Sequence, residues 1–153
     1  MSMKVAFYKY TGRPGIAGLF DALIRKVTKG PYSHCELVFP DGWCYSASIQ
    51  DGGTRFKKVA FDEGKWDFIE LEFTREQMRK SEAFCLDERK CGYDYPGVFR
   101  FLVPAIRESK NRWFCSEIVC AALQEGGLLW GGVKPWQVHP SGLHNLLRST
   151  LNG

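Results

Sequence analysis

Between residues 34 and 73 the chain is cut into short apolar runs by glycine turns. This punctuation limits the fold more than any other feature. Pro40-Asp41-Gly42 and Asp51-Gly52-Gly53 are tight-turn sequences, with glycine where a turn backbone takes positive φ. The runs at 34–39, 43–49, 54–60 and 66–73 have strand length and are rich in β-branched and aromatic residues. Alternation is clearest in the last, through Trp66, Phe68, Ile69, Leu71 and Phe73. Residues 34–49 therefore predict a β-hairpin, which two more strands follow. A fifth strand, at 4–10, precedes them.

Helical signals flank this block. Apolar residues at 16, 19, 20, 23, 24 and 27 repeat with helical spacing and predict a helix over 16–27. Thr74 followed by Gln77 is a capping box and opens a helix to about residue 90. Residues 91–96 read as a loop, and Asp94 as the N-cap of a short helix through residue 103, with Pro96 in its first turn. The polar stretch 105–112 reads as an exposed connection. Residues 116–125 predict a strong helix, stopped by Gly126-Gly127, and Pro140-Ser141-Gly142 starts a last helix at 143–151. One strand and helix, then an antiparallel sheet, then further helices make an α+β chain. With 153 residues, no repeat and no linker, residues 1–153 are expected to form a single domain.

Composition narrows the function. Hydrophobic residues at 44% and charged residues at 25% are ordinary globular usage, while aromatics at 14% suit a filled core or a lined groove. The net charge of +4 is mild. Arg55, Lys57 and Lys58 offer a basic strand face, but such a face is usually only solvated, and no nucleic-acid partner is expected. No apolar run is long enough for an integral membrane segment. The first residues carry no secretory signal, so the expected location is the cytoplasm, or a virion or lysate if the chain is phage-encoded. The six cysteines are then expected as thiols. They form no CxxC and no zinc-type spacing, so neither metal nor cofactor is expected.

Three features carry chemistry. Cys115 stands at the start of a predicted helix, where the partial positive charge of the helix end favours thiolate, the nucleophilic form. A buried cysteine on an apolar helix is the plain alternative, and Cys120, one turn on, reads as core. His34 opens a strand, where it can act as a general base, and shares a face with Glu36, while Cys35 and Leu37 take the other face. Ser46 and Ser48 lie on the next strand, close enough to orient an imidazole through its second nitrogen. Glu36 is chemically the stronger orienter. However, residues two apart on a strand are separated by about 6.6 Å, with side chains running side by side.

These motifs resemble those of the NlpC/P60 superfamily of papain-like cysteine hydrolases. Phe114-Cys115-Ser116-Glu117-Ile118-Val119 is similar to its nucleophile motif, and Gly92-Tyr93-Asp94-Tyr95-Pro96-Gly97 to the tyrosine stretch before it. Residues 33–39 and 41–47 are similar to its histidine strand, turn and third-residue strand. Here the histidine precedes the cysteine, an order that resembles the circularly permuted YiiX/YaeF-like and lecithin:retinol acyltransferase-like branch. The resemblance covers about residues 1–125. It implies a permuted papain-like fold with Cys115 as nucleophile, His34 as base, and Tyr93, with Ser48, on the substrate side of a cleft. The third-residue position falls on Ser46, where the family more often has His, Asn, Gln or an acid. Either Glu36 or Ser48 substitutes, or a water bridges, or catalysis is weak or lost. The resemblance implies a thiol hydrolase, a monomer or weak oligomer, whose substrate is a cell-wall peptide or an acylated compound. The alternative is a catalytically weak or inactive binding module on the same scaffold.

Overall fold

A computed structural model describes residues 2–94, 112–128 and 132–153. The chain begins with β1 (Ser2–Tyr8) and α1 (Gly15–Thr28), then runs through β2 (His34–Val38), β3 (Cys44–Ser48), β4 (Gly53–Lys57) and β5 (Trp66–Glu72). Helix α2 (Arg75–Asp87) and the short strands β6 (Gly92–Tyr93) and β7 (Arg112–Trp113) lead into α3 (Cys115–Glu125). A 3-10 turn (Pro135–Gln137) and α4 (Pro140–Asn152) close it. The architecture is α+β, as the punctuation of residues 34–73 predicts. The helix placed at 94–103 and most of the connection at 105–112 lie outside the described residues.

The five long strands form one antiparallel sheet in the order β4-β3-β2-β1-β5. Its two faces follow the alternation. Met3, Val5, Phe7, Cys35, Leu37, Tyr45, Ala47, Ile69 and Leu71 point into the core. Beside them, Lys4 and Glu70 pair on the outer face. Helix α3 closes the core face against β2 and β3 and also packs on α2 and α4. Every residue from Cys115 to Leu123 is buried, which makes α3 the central helix of the core. Two of its buried polar side chains make hydrogen bonds that fix the helix start. Ser116 donates to the Val138 carbonyl (2.6 Å), and Glu117 accepts the Phe114 N–H at the helix start (3.2 Å).

Several element ends differ from expectation. β1 stops at Tyr8 and β4 at Lys57, short of residues 10 and 60. The capping box at Thr74 and Gln77 forms in both directions, but α2 ends at Asp87 rather than near 90. Gly92 and Tyr93, read as loop, pair in parallel with Arg112 and Trp113. Two-residue strands are too short for any periodicity to reveal. Pro140 itself is the first residue of α4, with the His139 ring accepting the Gly142 N–H (2.9 Å) as cap.

Gly53 fixes where β4 sits. Its φ is +141°, and a Cβ there would collide with the Cys91 carbonyl. That close approach lets the Thr54 N–H bond the Cys91 carbonyl at 2.9 Å, joining β4 to the segment ahead of Tyr93. Gly53→Ala is expected to destabilise the protein by roughly 2–3 kcal/mol, through backbone strain and the collision together. A urea or thermal unfolding curve measures it.

Candidate active site

The sheet presents His34 from the first position of β2, and α3 presents Cys115 from its own first position. The two lie close enough that each shifts the ionisation of the other. His34 Nε2 bonds Glu36 Oε1 at 2.7 Å, which leaves Nδ1 as the nitrogen available to the sulfur. The strand spacing argued against this Glu36 contact. It forms because two long side chains on one face lean together and a third group pins the carboxylate.

That group is Arg55 of β4. Its guanidinium grips Glu36 with both terminal nitrogens, one of them at 2.7 Å from Oε2, and its Nε bonds Asp51 at 2.9 Å. Glu36 is 1% exposed and Arg55 only 15%. The result is a run of alternating charge, Asp51–Arg55–Glu36–His34–Cys115, that starts at the exposed Asp51 and has Glu36 buried at its centre. Reading Arg55 as part of a solvated basic face missed this. The available signal was register: Arg55 faces Ser46 across the β3–β4 ladder, and one step beyond the Leu37–Tyr45 pair of β2–β3 brings Ser46 opposite Glu36. Lys57 is drawn to Asp51 (3.5 Å) and Lys58 lies over the Trp43 ring (5.3 Å), so these basic side chains are engaged within the protein.

Ser46 does not take the third position. Its hydroxyl donates to the Cys35 carbonyl at 2.6 Å, while Glu36 occupies the imidazole nitrogen that a third group would use. The small Ser46 side chain lies between Glu36 and Arg55 in register, and this lets the guanidinium reach across β3. Tyr93 is buried, with its ring against Phe20 and Phe114.

Electrostatics follow from these contacts. Burial alone pushes the Cys115 thiol up. Hydrogen bonds from Cys35 and His34 and the imidazolium charge outweigh it and lower the thiol to about 5. Burial likewise pulls the His34 imidazole down. Contacts with Cys115 and Glu36 overcome this and raise it to about 9. Glu36 is held below the usual carboxylate range, because Arg55 and His34 outweigh its burial. Both shifts favour thiolate on Cys115 and imidazolium on His34. Burial instead raises Cys120 to about 12, as expected for a core thiol. All six cysteines are free thiols.

A cavity of about 700 Å³ opens beside this run. Ile16, Phe20, Ile49, Val59, Trp66 and Tyr93 supply apolar wall, and His34, Glu36, Arg55 and Ser48 supply the polar part. Ser33 also lines it, with a buried hydroxyl that has no hydrogen-bond partner among the described residues. Cys115 is not itself a wall and is 1% exposed. His34, 21% exposed, lines the cavity. Among the described residues no group of three or more His, Cys, Asp and Glu side chains is arranged to hold a metal, and no helix is long and apolar enough to cross a membrane. No protein-family model and no curated protein sequence matches this chain.

Proposed function

We propose that the protein is a thiol hydrolase of the permuted NlpC/P60 type, in which Cys115 attacks an ester, thioester or amide carbonyl. The observation that carries this reading is the run Arg55–Glu36–His34, which reaches a cavity wall at His34, beside Cys115. A cysteine becomes a nucleophile when an adjacent imidazolium stabilises its thiolate, and the imidazole needs a third group to hold its ring. Glu36 fills that role here, in place of Ser46. On attack, the thiolate forms a bond to the carbonyl carbon and the carbonyl electrons move to oxygen. The Cys115 N–H, in the first turn of α3 where no intrahelical acceptor exists, is one donor for that oxyanion. As the tetrahedral adduct collapses, the His34 imidazolium protonates the departing alcohol, thiol or amine. The neutral imidazole then takes a proton from water, which hydrolyses the acyl-enzyme.

The wall of Ile16, Phe20, Ile49 and Val59 favours an acyl chain over a charged cell-wall peptide. A second reading, a binding module without turnover, draws on the burial of the Cys115 sulfur at 1% exposure.

One experiment separates the two. The protein is treated with iodoacetamide at neutral pH, adducts are mapped by mass spectrometry, and p-nitrophenyl esters of increasing chain length are assayed in parallel. The hydrolase is expected to alkylate fastest at Cys115, to slow there on His34→Ala, and to prefer longer acyl chains. Uniformly slow labelling of all six cysteines with no ester turnover would leave the binding module.

A further inference from the structure

Helix α1 buries its carboxylate and exposes two of its aliphatic side chains. Asp21 is 2% exposed and turns inward to Arg13, whose Nη2 lies 2.7 Å from Oδ1. Ile16 and Leu19 are 86% and 73% exposed, the two highest values among the described large hydrophobic residues. Tyr10, 37% exposed, stands in the loop ahead of them, and its carbonyl accepts from Arg25 of the helix (3.4 Å). The apolar spacing at 16, 19, 20, 23, 24 and 27 makes α1 apolar over more of its circumference than the protein covers. Phe20 and Ile24 pack on the core, while Ile16 and Leu19 face out. A helix that only packs on a core keeps its aliphatic residues in and its charges out. Ala17, Phe20, Asp21 and Ile24 line the cavity. Ile16 lines it too while mostly in solvent, so it stands at the opening. Lys26, two turns after Leu19 on the same stripe, and Lys29 at the helix end are both exposed.

We propose that α1 docks the protein on an anionic lipid surface, with Ile16 and Leu19 seated among the acyl chains, Lys26 and Lys29 beside the lipid phosphates, and the cavity opening at the membrane. The charges fit. The outward stripe of α1 carries cations and no carboxylate, since Asp21 is the only acidic residue of the helix and is buried, and a chain of net charge +4 is drawn to such a surface. The apolar area fits lipid better than a second copy. A stable protein interface takes about 800 Å² from each partner, and two aliphatic side chains with the edge of a tyrosine supply a fraction of that. A lipid surface asks for less, because a few inserted side chains and the attraction of basic residues for anionic headgroups act together. Docking in this pose sets the opening where an acyl chain can enter without crossing water. That last step rests on the proposed hydrolase reading, and the docking itself does not.

Native protein, Leu19→Asp and the pair Lys26→Gln with Lys29→Asn are each sedimented with extruded vesicles, either of phosphatidylcholine alone or of phosphatidylcholine and phosphatidylglycerol in equal parts. All three positions are exposed, and asparagine suits the left-handed backbone at residue 29, where φ is +52°. Native protein is expected to bind the mixed vesicles, and to bind them less as salt is raised. Leu19→Asp is expected to weaken that binding roughly tenfold or more, since an inserted leucine is lost and a charge of the wrong sign is gained. The lysine pair is expected to weaken it about thirtyfold. Failure of the native protein to bind, equal binding to both kinds of vesicle, or native-like binding by either variant would overturn the proposal. So would a concentration-dependent dimer that Leu19→Asp dissolves, which would assign the face to a second copy. Iodoacetamide labelling of Cys115 and turnover of a soluble p-nitrophenyl ester are read on the native protein in parallel. Labelling and turnover without vesicle binding remove the docking alone. Vesicle binding without either keeps the docking and removes the hydrolase.

Discussion

Ester hydrolysis by Cys115→Ala is expected to fall to the uncatalysed background, and His34→Ala is expected to lose about a thousandfold or more in kcat/KM. The pH profile shows why the two losses differ in kind. Native activity is expected to rise as pH passes about 5, where the Cys115 thiol ionises. It is expected to decline as pH passes about 9, where the His34 imidazolium loses the proton it must give to the leaving group. Both limbs belong to one coupled pair, so they are read as properties of the pair. His34→Ala removes the alkaline limb altogether. It also moves the acid limb upward, because the imidazolium is among the groups that hold the thiol down. Cys115→Ala leaves no ionising nucleophile and hence no profile. Measuring kcat/KM for a p-nitrophenyl ester from pH 4 to 10 in the three proteins checks this. A bell-shaped profile that survives either substitution would remove the pair from the chemistry.

How much of this site can be read from the chain depends on how local each contact is. The hairpin at 34–49 is legible because Pro40-Asp41-Gly42 fixes both the turn and, through period-two alternation, the shared face of His34 and Glu36. The helix position of Cys115 is legible because an apolar run of helical spacing begins next to it and a glycine pair ends it. Their meeting in space is not local. It rests on the resemblance of the motifs rather than on any spacing, since β2 and α3 are joined by most of the chain. Arg55 is the clearest omission. In isolation it is one of three basic residues on an edge strand, and the usual fate of such residues is solvent. Its burial follows from two ladder registers acting together, with Ser46 as the small residue between.

Removing the Arg55 guanidinium should cost more stability than any other single change at the site. Glu36 is a carboxylate at 1% exposure whose two oxygens are gripped by Arg55 and, at one of them, by His34. Arg55→Ala deletes the partner and leaves the charge buried. Breaking a buried, hydrogen-bonded ion pair from one side costs about 3–5 kcal/mol. The penalty comes from the uncompensated carboxylate rather than from the lost attraction. The double variant Arg55→Ala with Glu36→Gln is therefore expected to recover a large part of the lost stability, although it carries one more substitution. The acid branch tests the same point. Glu36 is held below its ordinary range in the folded protein, so its contribution is present above the unfolded-state carboxylate pKa and is lost as pH falls through the lowered folded value. Glu36→Gln is expected to flatten that part of the curve, since glutamine has no proton to gain. Urea unfolding at neutral and acidic pH for the native protein, both single variants and the double variant measures all four quantities. If Arg55→Ala unfolds at the native midpoint, the carboxylate has found another donor, and the chain of charges from Asp51 to Cys115 is not what holds the imidazole in place.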